Sequence, residues 1–222
     1  MEESNKNLLT IDTFCVIKSN KTNKPYLDNN FNCYLFALID DAKNFTEKNK
    51  DTYYENPMNL TERIFINTFY SYGIKNIYVK QAHKEPIKIP LENDPDTEKL
   101  FFNTNLNRNL LRLKQTGEKK YLRNIKDELV YLPINIEARN KAEYTNLKYS
   151  YSLFNKIKHF VIFSSIQEFD EWNNTQNNIF KPLKISFNNI SRIRKKNSVI
   201  INPLSEKITL SDEQIKKTFS KS

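Results

Sequence analysis

Only two glycines, Gly73 and Gly117, occur in 222 residues. Loops that wrap a phosphate need clustered glycines, because only a bare backbone can approach the anion closely. A Walker loop and a dinucleotide-binding turn are therefore both excluded. Aromatic residues make up 13% of the chain, so its ordered parts are expected to be packed elements rather than flexible tracts. The length allows one or two domains, either with a real buried core.

The hydrophobic pattern supplies the elements. Thr13 to Ile17 and Cys33 to Phe36 read as strands, with Asp40 or Asp41 capping a short helix that carries Ala42 and Phe45. A helix from Leu60 to Tyr72 ends at Gly73, and Ile74 to Val79 returns as a strand. Pro86, Pro90 and Pro95 then break every period, which marks a linker with a boundary near residue 90. Helices follow from Asp96 to Gly117 and over Tyr121 to Leu129, then a strand whose Pro133 belongs at an edge or bulge. Leu147 to Leu153 alternates as a half-buried strand, and Asn155-Lys156 turns the chain into Ile157 to Phe163. Ser164 or Ser165 caps a helix with Phe169 and Trp172; Leu183 to Phe187 and Val199 to Ile201 are strands. Ser211 to Gln214 is a capping box for a last helix bearing Ile215 and Phe219.

A shift of 127 residues places Phe36 on Phe163, Ala42 on Phe169 and Phe45 on Trp172, while Ile77-Tyr78-Val79 matches Val199-Ile200-Ile201 at a slightly different offset. The expectation is an α+β chain of two related small modules, residues 1–90 and 91–222. Each would be a short mixed or antiparallel sheet with helices packed on one face.

Chemistry is sparse. His83 and His159 are the only histidines, and neither has a partner at metal-ligand spacing, so no metal and no cofactor is expected. Cys15 and Cys33 lie in apolar strands as small buried hydrophobes rather than at a helix N-terminus that would stabilise a thiolate. Asp40-Asp41, Asp127-Glu128 and Asp170-Glu171 read as helix starts or solvated faces. The chain is thus expected not to be an enzyme. No run approaches the roughly 20 apolar residues of a membrane helix, and the first residues are acidic and polar, which points to the cytoplasm. The net charge is +9, and residues 181–222 hold ten Lys or Arg against three Asp or Glu. Arg192, Arg194, Lys195 and Lys196 form the densest basic patch and the candidate binding residues, with nucleic acid as the alternative partner to a protein.

The second half resembles the N-terminal domain of the SseB family, named for enhanced serine sensitivity. The likeness rests on Asn109 and the leucines after it, Tyr131-Leu132-Pro133, Phe160-Val161-Ile162-Phe163-Ser164-Ser165, Phe169, the strand Leu183 to Phe187, Val199 to Pro203, and Ile208-Thr209-Leu210. It departs from the family's pattern in a long polar stretch, Glu137 to Leu153, and in Asn197-Ser198 where a glycine-containing turn is usual. The first half, through Lys24 to Asp28, Leu35-Phe36, Ala42, Phe45 and Gly73-Ile74, resembles the companion module that some Gram-positive members carry. The resemblance implies a non-catalytic α+β protein-binding or scaffold protein. A toxin-neutralising immunity protein is a separate alternative, because small charged proteins without chemistry often act that way.

Overall fold

The apolar runs FCVIKS and NCYLF form strands β1 (Phe14–Ser19) and β2 (Asn32–Phe36), which are buried on both faces. Near-continuous apolar strands of this kind need cover on both sides, and helices supply it. In the computed structural model, which describes residues 14–58, 69–82, 84–91, 103–135, 150–154, 156–205 and 207–219, the chain divides into two compact units, Met1–Gly117 and Glu118–Ser222.

The first unit adds helix α1 (Ile39–Lys48) and strands β3 (Thr52–Met58), β4 (Asn76–Lys80) and β5 (Ile87–Pro90), in the sheet order β3-β1-β2-β4-β5. Strand β1 runs antiparallel to β2 and β3, β2 parallel to β4, and β4 antiparallel to β5. Successive residues of a strand point to opposite faces. Cys15, Ile17 and Phe36 therefore pack under α1 with Ala42 and Phe45. Val16, Cys33, Leu35, Ile77, Val79 and Ile89 pack on the other face with Phe69 and Leu111, the latter from helix α2 (Thr104–Thr116).

The second unit begins with α3 (Lys119–Asn124) and β6 (Leu129–Asn135), which pairs antiparallel with β9 (Phe180–Ser186). A hairpin of β7 (Tyr151–Phe154) and β8 (Ile157–Ile162) turns through Lys156 and leads into α4 (Ile166–Thr175). Helix α5 (Phe187–Ile193) precedes β10 (Ser198–Ile201), parallel to β8; β11 (Ile208–Leu210) and α6 (Asp212–Phe219) end the unit. A bridge between Tyr131 and Phe163 joins β6 to the end of β8. The four-stranded sheet β7-β8-β10-β11 and the ribbon β9-β6, joined by that bridge, place β9-β6-β8-β10-β11 in the same sequence as β3-β1-β2-β4-β5, with β7 added along the edge of β8.

The repeat extends to single residues. Helices α1 and α4 have the same ten-residue length at an offset of 127, and Phe163, Phe169 and Trp172 share one cluster as Phe36, Ala42 and Phe45 do. Cys33 pairs with Ile77 as Phe160 pairs with Val199, so the two parallel strand pairs have the same register.

The α+β class and the paired modules hold, and three details differ from expectation. Helices are not confined to one face, because α1 and α2 cover opposite faces of the first sheet. The division falls after Gly117, not near residue 90. Helix α2 belongs to the first unit, where Gln115 accepts from Leu27 N and donates to Pro25 O (3.3 and 3.0 Å), and Arg112 donates to Leu27 O and Asn29 Oδ1 (2.5 and 2.8 Å). Helix α1 starts at Ile39 behind Leu38, so Asp40 and Asp41 lie in its first turn rather than at its cap.

Pro133 stands opposite Pro182 across β6 and β9. Tyr131 donates its N–H to Phe163 O, away from β9. Two residues on, the missing N–H of Pro133 faces the same way, so the β6–β9 ladder loses nothing. Left-handed turns fall mostly to asparagine and lysine, including Asn23, Asn177, Asn178, Asn202, Lys156, Lys195, Lys196 and Lys207. Among the described residues no helix is long and apolar enough to cross a membrane. Thr13, His83, most of the helix expected over Leu60–Tyr72, Pro95 and the start of the helix expected from Asp96, Leu147 and Asn155 lie outside the described residues.

Candidate functional site

The four basic residues singled out in the sequence do not form one exposed patch. Arg192, Lys195 and Lys196 are exposed at the C-terminal end of α5, whereas Arg194 is 3% exposed and turned inward. Its Nη1 donates to Asn197 O at 2.6 Å and lies 2.7 Å from Asp212 Oδ1. The latter contact is an ion pair. Arg194 is a strut between α5 and α6.

Around that strut three helix ends converge. Phe187 at the start of α5 packs at a tilt against Phe219 at the end of α6, with ring centroids 5.5 Å apart, while Arg194 meets Asp212 at the other end, so the two helices run antiparallel. Helix α3 packs against α6, and Lys119 at its start adds to the field on Glu213. The carboxyl of Glu213 is held below its ordinary range, first by Lys217 and also by Lys119.

Asp212 is likewise lowered, by Lys216 first and then by Arg194. A carboxylate whose folded value lies below its ordinary 3.8 contributes stability that is complete above that value and is lost as pH falls through the folded value. Asp212→Asn is therefore expected to lower the urea midpoint at neutral pH, with the gap to the parent chain closing in acid. A gap that stays constant with pH would show that charge is not the cause.

A second feature lies at the carboxyl ends of the parallel strands, the place where open sheets with helical crossovers usually present ligands. The exposed large hydrophobics among the described residues are Leu38, Ile39, Leu129, Ile157, Ile166, Ile179 and Leu204. Four of them sit at this corner in one module or the other. Ile39 and Ile166 are the same position at the 127-residue offset, each the first residue of its helix. The corner is tied together alike in both modules: Lys80 Nζ donates to Asp41 Oδ1 at 2.9 Å, and Ser205 Oγ donates to the carboxylate of Glu168, the counterpart of Asp41, at 2.8 Å.

The two corners differ at the helix cap. Ser165 Oγ accepts from Glu168 N at 3.2 Å, satisfying one of the unpaired N–H groups of the first turn. Its counterpart in α1 is Leu38, which makes no side-chain cap bond and is 40% exposed. Replacing Ser by an apolar residue at this position costs about 1 kcal/mol. Leu38 thus weakens its helix and leaves apolar surface in water. Reading the residues one by one missed it; the 127-residue shift, which lays Leu38 on Ser165, is the signal that finds it.

The thiols are inert by placement. Cys15 and Cys33 are fully buried on opposite faces of the first sheet, and burial raises both thiols. His159 is buried in β8, where its strand partners are Ser152 and Ser198. Among the described residues no three His, Cys, Asp or Glu side chains gather at metal-binding distance. Comparison of the chain with protein-family models, curated proteins and solved structures finds no match.

Proposed function

We propose that the chain is a non-catalytic protein-binding or scaffold protein of two SseB-like modules, working in the cytoplasm, and that the Leu38–Ile39 corner of its first module contacts the partner. The observation that carries this reading is the exposed leucine at a helix cap where the sister module keeps a serine. A residue that costs its own helix stability and exposes apolar surface fits a contact better than it fits the fold. The Phe-Ser-Ser turn into α4 and the Asn-Pro end of β10 support the SseB likeness. The buried, raised thiols support a role without nucleophilic chemistry.

The test uses the tagged full chain, captured from its native cells with nuclease present, beside Leu38→Ser and Ile39→Asp. Leu38→Ser is expected to stabilise the isolated protein by about 1 kcal/mol while recovering at least about tenfold less partner. Ile39→Asp is expected to lose the partner to a similar degree at near-unchanged stability. Recovery of the parent chain alone, or equal recovery by both variants, would remove the reading.

A further inference from the structure

The basic character belongs to the second module. Residues 1–117 hold 16 Lys or Arg against 15 Asp or Glu, a net +1, whereas residues 118–222 hold 19 against 11, a net +8. Where α3 starts and α5 ends, the chain gathers Lys119, Lys120, Arg192, Lys195 and Lys196, and from the last turn of α6 Lys216 and Lys217 reach back by ion pairs to Asp212 and Glu213 at its start; all seven are exposed. The carboxylates of the same helix ends, Glu118, Asp212 and Glu213, are each already engaged by a lysine, and Asp212 by Arg194 as well. They leave most of the positive charge uncompensated.

We infer that this convergence of helix ends is an electrostatic docking surface for an acidic protein. The inference deepens the protein-binding reading and rests on it. An acidic polypeptide is favoured over a single-stranded nucleic acid because the one ring of these helix ends, Tyr121, is 2% exposed and offers nothing for a base to stack on; a duplex, which is bound through its phosphates alone, is the rival that the test below includes. Such a surface steers association and sets its salt dependence.

The test measures binding of the full chain to labelled poly-L-glutamate and to a labelled DNA duplex by fluorescence anisotropy, at low and at raised salt. Lys119→Glu/Lys195→Glu/Lys196→Glu is compared with a control of equal charge change, Lys181→Glu/Lys184→Glu/Lys207→Glu, on β9 and in the turn before β11. Native emission of Trp172 and an unchanged circular dichroism spectrum verify folding of each. Poly-L-glutamate is expected to bind at low salt and to weaken at least about tenfold at raised salt. The first variant should weaken it at least about tenfold and the control less than about threefold. No binding at low salt, equal weakening by both variants, or tighter binding of the duplex would each overturn the inference. These readouts are independent of Leu38 and Ile39: loss of the corner's effect with site-specific poly-L-glutamate binding retained would sink the corner alone.

Discussion

Gly73→Ala is expected to destabilise the first module by about 4 kcal/mol, a large part of the 5–15 kcal/mol that holds a typical domain folded. Gly73 closes the helical turn at residues 69–71. Its N–H reaches Tyr70 O at 2.8 Å and the next N–H, of Ile74, reaches Phe69 O at 3.4 Å, the paired bonds of a left-handed helix end. The backbone sits at φ +72, where a Cβ costs about 1–2 kcal/mol. That Cβ would also lie 2.1 Å from Thr104 O and 2.9 Å from Arg108 Cβ, so the first turn of α2 would have to move. The atom in the way is backbone, which cannot rotate aside. Asn107 Nδ2, donating to Ser71 O at 2.8 Å, would lose its partner in the same shift. Gly117 is the contrast: φ is +75, yet nothing lies within 4 Å of its would-be Cβ, so Gly117→Ala should cost only about 1 kcal/mol. Amide exchange checks both variants. Protection should fall across residues 104–116 in Gly73→Ala while emission of Trp172, which lies in the second module, stays native. A Gly73→Ala chain as stable as Gly117→Ala would show that α2 does not bear on Gly73.

Both glycines were legible in the sequence as helix stops, because the apolar period fails at each. The clamp on Gly73 was not, since it depends on a contact with residues 31 and more positions along the chain. The same division between local and distant causes runs through the fold. Ser165 at α4 is a local signal, and so is Ser211 at α6, whose N–H and Oγ exchange bonds with Gln214 (2.8 and 3.1 Å). Strand β3 gives little local signal: Thr52 to Met58 is half polar and contains Pro57. Its partner β1 defines it, with Ile17 opposite Tyr54 and Lys18 ion-paired to Glu55. Strand β5 hides between Pro86 and Pro90 in what reads as a linker, yet Ile89 pairs with Ile77 and is 3% exposed. An edge strand tolerates such prolines because one side of its backbone has no ladder to serve. Helix α5 was masked by the alternating strand before it; Ser186, whose Oγ accepts from Asn189 N at 3.4 Å, ends the strand and starts the helix.

The candidate site divides in the same way. Of the four residues that charge density singles out, Arg192, Lys195 and Lys196 are exposed and Arg194 is not, because only the fold sets Asp212 beside it. Leu38 and Ile39 look ordinary beside the apolar strand β2. They become informative only when the module is laid on its sister, where serine occupies the cap.

Asn202→Ala is expected to cost about 3 kcal/mol, and the comparison of modules says why. In the first module Ala37 N donates to the backbone carbonyl of Lys80 at 2.9 Å, as β4 runs on beside Phe36. The counterpart of Ala37 is Ser164, but β10 stops at Ile201 and Asn202 turns left-handed at φ 51. Its backbone carbonyl is thereby swung toward Ser205 N and Lys207 N, at 3.2 and 3.0 Å. The side chain takes its place: Asn202 Oδ1 accepts from Ser164 N and Nδ2 donates to Ser164 Oγ, both at 2.9 Å. Alanine would leave a donor that is 2% exposed at the residue level without an acceptor, at about 1–3 kcal/mol, and would add about 1 kcal/mol for the left-handed backbone. Asn202→Gly removes the same bonds but adopts that backbone freely, so it should be about 1 kcal/mol more stable than Asn202→Ala. Urea unfolding followed at Trp172 measures both. If the two variants unfold together, the backbone at this position carries no strain; if neither falls below the parent chain, the side chain is not standing in for the lost carbonyl.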